Sequence, residues 1–205
     1  MSELVERASE YATRAHQRID QSRKYSKQPY HVHLQAVARL VASVSDDEEA
    51  IAAAWLHDTV EDTPATLEDI EENFGQSVAE LVEELTDVSK PSDGNRAKRK
   101  AIDRSYIAQA SPRAKTVKLA DLIDNCRDIT RHDKRFARVY LVEMGALLDV
   151  LGDGDEILYQ QASGLYARHM QRLGLSLDSR FEWESGEAET IGLSGFGDQH
   201  FKRMF

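Results

Sequence analysis

The sequence predicts an all-α fold, and three observations carry that prediction. Apolar residues recur at helical spacing through most of the chain. Alternation of apolar and polar residues between turn signals, the mark of a half-buried strand, is almost absent. Helix starts and stops also follow one another in order, with Pro29, Thr63-Pro64, Gly75, Ser111-Pro112 and Gly174 punctuating the periodic segments.

Each element has its own reason. Over 4–19, Leu4, Ala8, Tyr11, Ala12 and Ala15 mark one helical face, and the polar stretch 20–28 breaks it. Pro29 disfavours helix at the residue before it and suits the first turn after it, so a second helix spans roughly 30–44 with Val37, Leu40, Val41 and Val44 inward. The next is expected from 47 to about 61, capped by Asp46 or Asp47, with Ile51, Ala54 and Trp55 buried and Thr63-Pro64 ending it. Thr66 and Asp69 have the form of a capping box that opens a short helix closed by Gly75. A further helix is expected over 77–87. The segment 89–95, with Pro91 and Gly94, is then a loop that could serve as a lid. Helices follow at about 96–109, 112–130, 135–151 and 155–173, the second opened by Ser111 as cap and Pro112 at its first turn. After Gly174 the pattern degrades, giving a domain over 1–174 and a tail over 175–205, docked or flexible.

Bulk properties narrow the class. A length of 205 residues suits one well-buried domain. No run approaches the roughly 18 apolar residues of a membrane span, and MSELVERASE lacks the apolar core of an export signal, so a cytoplasmic protein is expected. The single cysteine, Cys126, lies among Leu122, Ile123 and Ile129 and reads as a small core residue. A net charge of −10 argues against a nucleic-acid partner, because phosphate backbones reward a basic surface. Residues 96–104 nonetheless hold five basic groups against one acid, and Arg23-Lys24 form a second basic step. A local positive patch on an acidic protein suits a compact, highly charged anion, and a plain solvated helix face is the alternative.

The chemistry concentrates in AAAWLHDTVEDT. If 47–61 is one helix, His57 stacks above Glu61 and Asp58 above Asp62, so four metal- or proton-capable groups share a wall. Three of them are acids, and crowding like charges costs free energy that a divalent cation or protons would offset. Further candidate ligands are His31 and His33 in PYHVH, His16, and Asp121 and Asp124 in VKLADLIDN. Asp121 interrupts the apolar face of Val117, Leu119, Leu122 and Ile123, where a carboxylate needs a partner, and Asn125 lies one turn further on. Taken singly, a histidine at a helix start is more often a cap, and an aspartate beside an apolar stripe more often pairs with arginine. The recurrence of His, His-Asp and Asp on successive helical units argues for a site instead.

His33, His57-Asp58 and Asp121, in that order, resemble the ligand signature of the HD superfamily of metal-dependent phosphohydrolases. PYHVH, IAAAWLHDTVEDTPATLEDIEENFG, VEELTD and AKTVKLADLIDNCRDI are similar to the hydrolase domain of RelA/SpoT-type enzymes, and most of all to the stand-alone small alarmone hydrolases. The likeness runs from about residue 4 to residue 150. It implies an all-α bundle of about eight or more helices and one Mn²⁺ per chain. It also implies hydrolysis of the 3′-pyrophosphate from guanosine 3′,5′-bis(diphosphate) or its pentaphosphate, ppGpp or pppGpp, which ends a stringent-response signal. Under this resemblance His33, His57, Asp58 and Asp121 ligate the metal, with His31 as the alternative to His33. Glu61 and Asp62 handle the attacking water, and Asn125 orders phosphate or ribose. Arg23 and Lys24 lie near the base, and Arg96, Lys98 and Arg99 near the phosphates. The chain departs from the family where Leu34, in place of proline, follows His33, and in the length of the segment between His16 and Pro29.

Two rivals remain on sequence grounds. The same site could serve another nucleotide, such as NADPH at its 2′-phosphate or a nucleoside monophosphate. A catalytically silent nucleotide-binding module would be favoured by loss of a ligand, and none is lost. A purely structural helical protein is a third possibility. A homo-oligomer is compatible with the sequence.

Overall fold

A computed structural model describes residues 2–176. Among these the chain forms α1 (Glu3–Arg18), α2 (His31–Ala42), α3 (Glu48–Leu56), α4 (Thr59–Asp62), α5 (Leu67–Phe74), α6 (Gln76–Leu85), a 3-10 turn at Pro91–Asp93, α7 (Arg96–Ile107), α8 (Pro112–His132), α9 (Lys134–Leu148) and α10 (Glu156–Leu173). The all-α expectation holds, and the described residues form no named strand. The expected tail lies outside the described residues from position 177 onward.

α3 is the hub, and its composition explains why. Ala50, Ala52, Ala53, Ala54, Trp55 and Leu56 are all buried, so the helix has no single apolar stripe. α1, α2, α6 and α8 pack around it, and the row of alanines lets their backbones approach closely. On the far side, α8 packs against α2, α9 and α10. Leu34, Leu119, Ile123, Phe136, Leu141 and Met144 fill the space between these layers at near-zero exposure. The close approach of α9 to α10 requires Gly145, since a Cβ there would lie 2.7 Å from the hydroxyl of Tyr166.

Local chemistry sets the boundaries. Asp47, not Asp46, caps α3, accepting from the amides of Glu49 and Ala50 at 3.1 Å each. The Thr66–Asp69 capping box is complete. Ser111 caps α8 ahead of Pro112, and Asp155 caps α10. Gly174 ends α10 in the left-handed conformation that glycine adopts without steric cost.

One expectation fails at an informative place. The segment 47–61 is not one helix: α3 stops at Leu56, His57 and Asp58 form a turn, and α4 restarts at Thr59. Asp58 has φ −99° and ψ 0°, the bridge region rather than the helical one.

Candidate metal and phosphate site

The helix break decides the geometry of the site. In a regular helix adjacent side chains point about 100° apart and do not face one target. With the chain turning at His57-Asp58, both side chains reach the same place, and Asp58 Oδ2 lies 3.0 Å from His57 Nε2. α2 contributes His33, whose Nε2 is 3.6 Å from the same Asp58 oxygen, and the two imidazole centroids are 5.2 Å apart. α8 contributes Asp121, its Oδ1 3.4 Å from His33 Nε2 and 3.9 Å from His57 Nε2. His33, His57 and Asp58 form the tightest set, with ligand atoms within 4.8 Å of one another. His33 is buried in α2, and His31 is absent from that set.

Both imidazoles are oriented from behind. His57 Nδ1 donates to the carbonyl of Ala54 at 2.9 Å, and His33 Nδ1 to Asp124 Oδ2 at 2.7 Å. Each therefore turns its Nε2 inward, and both Nε2 atoms are buried without a hydrogen bond. Two unsatisfied imidazole nitrogens facing two carboxylates make a mixed N/O donor set, which a divalent cation satisfies and water-excluded protein does not. A His/Asp site able to hold a divalent metal is thus present.

Electrostatics follow from this crowding. With no ion bound, burial alone would lower the pKa of His33, but Asp121, Asp124 and Asp58 outweigh it and hold the pKa well above the usual histidine range, so a cation binding there displaces the Nε2 proton. Burial works to raise Asp121, and the half-buried Lys118 ammonium 3.0 Å away, with His33 and His57, brings it well below the carboxylate range. Tyr30 donates its hydroxyl to Asp58 Oδ2 at 2.6 Å and fixes that carboxylate from a third side. Glu61 is pushed up to about 8 by burial and then by Asp87 and Asp58. Asp62 is pushed up to about 6, by burial and then Asp58, although Gln21 donates to it at 2.7 Å.

A cavity of about 430 Å³ opens beside Asp121 and runs between α7 and α9, with Arg96, Lys98, Lys118, Asn125 and Tyr140 in its wall. Asn125 Nδ2 donates to Asp121 Oδ1 at 2.5 Å. Arg96 forms a two-point pair with Glu143 at 2.7 and 2.9 Å and lies over the Phe136 ring. Lys24 lies near the rings of Tyr25 and Phe136. Arg99 turns away, donating to the carbonyl of Gly94 at 2.7 Å, and Arg23 is buried against Asp124 and Asp128. Sequence reasoning missed Tyr30, Lys118 and Glu143. Lys118 had a local signal, three residues before Asp121 on one helix. Tyr30 and Glu143 meet their partners across the fold and had none.

An HD-domain family model matches residues 8–145. The chain belongs to the HD-domain family. Its HD pair, His57-Asp58, occupies the helix break described above. A solved structure described as a metazoan ortholog of SpoT that hydrolyzes ppGpp has a TM-score of 0.74 and 31% identity, covering 82% of this chain and 96% of that one. Guanosine-3′,5′-bis(diphosphate) 3′-pyrophosphohydrolase MESH1 of Xenopus tropicalis is 40% identical over 131 residues, 62% of this chain and 70% of that one. A guanosine-3′,5′-bis(diphosphate) 3′-pyrophosphohydrolase of Aquifex aeolicus is also 40% identical, over 139 residues. The HD-domain chain matches only 19% of that protein's length.

Proposed function

We propose that this HD-domain chain is a Mn²⁺-dependent pyrophosphohydrolase that removes the 3′-pyrophosphate of ppGpp and pppGpp, giving GDP or GTP and pyrophosphate. The observation that carries the reading is the convergence of two Nε2 atoms without hydrogen-bond partners, on His33 and His57, with Asp58 and Asp121, the last of which lines a cavity that also presents Lys98, Arg96 and Lys118. Relatives of that name and a structure described as hydrolysing ppGpp support the substrate.

In this reading His33, His57, Asp58 and Asp121 hold the ion. When bound, the cation acidifies water and neutralises charge growing on the phosphoryl oxygens. Glu61 takes the proton of the attacking water. Burial beside Asp87 and Asp58 raises its proton affinity, the direction a base requires. Asp62, held by Gln21, aligns the same water. The bond that breaks joins the ribose 3′-oxygen to phosphorus, and the proton ends on the 3′-hydroxyl. Asn125, already fixed on Asp121, and Lys98 meet ribose and phosphate, Arg96 lies in the same cavity wall, and Lys24, beside the Phe136 ring that Arg96 also covers, is assigned to the base.

Residues 1–174 are assigned as the hydrolase domain, acting in the cytoplasm on a guanine nucleotide. No helix among the described residues is long and apolar enough to cross a membrane. The test is a panel of ppGpp, pppGpp, NADPH and nucleoside monophosphates with Mn²⁺ and product identification. Pyrophosphate and GDP from ppGpp are expected. Turnover of NADPH alone, or ppGpp binding without turnover, overturns the reading.

A further inference from the structure

Arg23 was expected near the nucleotide base, yet the structure gives its guanidinium a different occupation. The α1–α2 loop folds it inward. Ser22 and Pro29 form an isolated bridge, the Arg23 amide donates to the carbonyl of Gln28 at 2.8 Å, and the side chain is 9% exposed. Every edge of the fork is partnered by one face of α8. Nη1 donates to Asp124 Oδ2, Nε lies 3.2 Å from Asp128 Oδ2, and Nη2 donates to Asn125 Oδ1 at 3.4 Å. Positions 121, 124, 125 and 128 share that face by helical spacing.

Two of those partners continue to the ligand set. Asp124 Oδ2 also accepts from His33 Nδ1 at 2.7 Å, which keeps a proton on Nδ1 and leaves Nε2 as the nitrogen available to a metal. Asn125 accepts from Arg23 through its oxygen and donates through its nitrogen to Asp121 Oδ1 at 2.5 Å. One guanidinium therefore has two arms, through Asp124 to His33 and through Asn125 to Asp121. The arms meet again where His33 Nε2 and Asp121 Oδ1 stand 3.4 Å apart. Groups behind a metal ligand set its tautomer and angle.

We propose that Arg23 is a positioning residue of the metal centre, holding His33 and Asp121 at their working separation through Asp124 and Asn125. The inference rests on the metal site of the preceding section and is independent of which nucleotide is cleaved. Only a planar fork serves both arms at once, so lysine is not an equivalent.

The test measures Mn²⁺ binding to metal-stripped protein by calorimetry, without substrate. Arg23→Gln is expected to weaken binding by about 10- to 100-fold, the usual range for a group behind a ligand. Arg23→Lys should fall between that and the native protein. Because Asp124 lies on the path, Arg23→Gln and Asp124→Ala combined should weaken binding by less than the product of their separate effects. At saturating Mn²⁺, kcat for ppGpp in Arg23→Gln should return toward the native value, because the ion then fills the site. Native Mn²⁺ affinity in Arg23→Gln, with a raised KM, would make Arg23 a substrate contact and overturn the inference alone. Absence of Mn²⁺ binding by native protein would overturn the metal reading as well. If Arg23→Gln does not fold by circular dichroism, Asp124→Asn serves. It keeps the shape of the side chain, and unchanged Mn²⁺ affinity there equally overturns the proposal.

Discussion

The two walls of the site are built on opposite plans. The wall formed by α2, the α3–α4 break and α8 is buried, and its polar groups lock one another: Tyr30 on Asp58, Asp124 on His33, Ala54 on His57, Lys118 on Asp121. The wall formed by α7 and α9 borders an open cavity and carries Lys98, Arg96 and Glu143 on longer side chains. The first plan suits a small ion that demands fixed donor distances. The second suits a flexible polyanion, which attraction by several charges can hold in more than one pose.

Mutations separate the plans in order of effect. His57→Ala or Asp58→Ala should reduce pyrophosphate release from ppGpp to the level of the protein-free control in an end-point assay. Lys118→Met leaves Asp121 a buried carboxylate without its ammonium, and metal-free protein should lose about 3–5 kcal/mol in urea unfolding. Added Mn²⁺ should recover part of that loss, because the ion supplies the missing positive charge. On the other wall, Lys98→Ala should raise KM by roughly 3- to 10-fold with kcat little changed. The difference should shrink in high salt, as expected for an exposed charge meeting phosphate.

The smallest effect lies away from both walls. Arg113 pairs with Asp47 and Glu49, and holds the pKa of Asp47 below its ordinary value; for Glu49 the hydrogen bond from Ser77 acts first and Arg113 second. Lowered folded-state values contribute stability that is full above the unfolded values near 4 and lost as pH falls through the depressed ones. Arg113→Met should therefore cost about 0.5–1 kcal/mol at pH 7, and thermal unfolding of this variant should depend less steeply on pH below 4. The pair is more than a third exposed at Arg113, which keeps the figure small.

What was legible in the sequence was local. Caps, glycine stops and apolar stripes are decided within a few residues, so the Thr66–Asp69 box and the bounds of α5 and α10 could be read directly. The recurrence of His, His-Asp and Asp on successive helical units hinted at a site, but the choice of His33, His57, Asp58 and Asp121 as one ligand set came through resemblance, because convergence of α2, α3 and α8 is a tertiary event. The break at His57-Asp58 was hidden, since no proline or glycine marks it and Thr59, Val60 and Glu61 continue a helical pattern. Arg23 and Arg99 looked alike as basic residues in basic runs. Their partners, Asp124 and the Gly94 carbonyl, were set by loop geometry that composition does not encode.

Cys126 lies wholly buried in α8, and burial pushes its thiol up to about 12. As the sole cysteine, it leaves the native protein inert to maleimides at neutral pH. Ile157, 64% exposed near the start of α10, could then be replaced by cysteine to give a chain that accepts one dye or spin label at one known point.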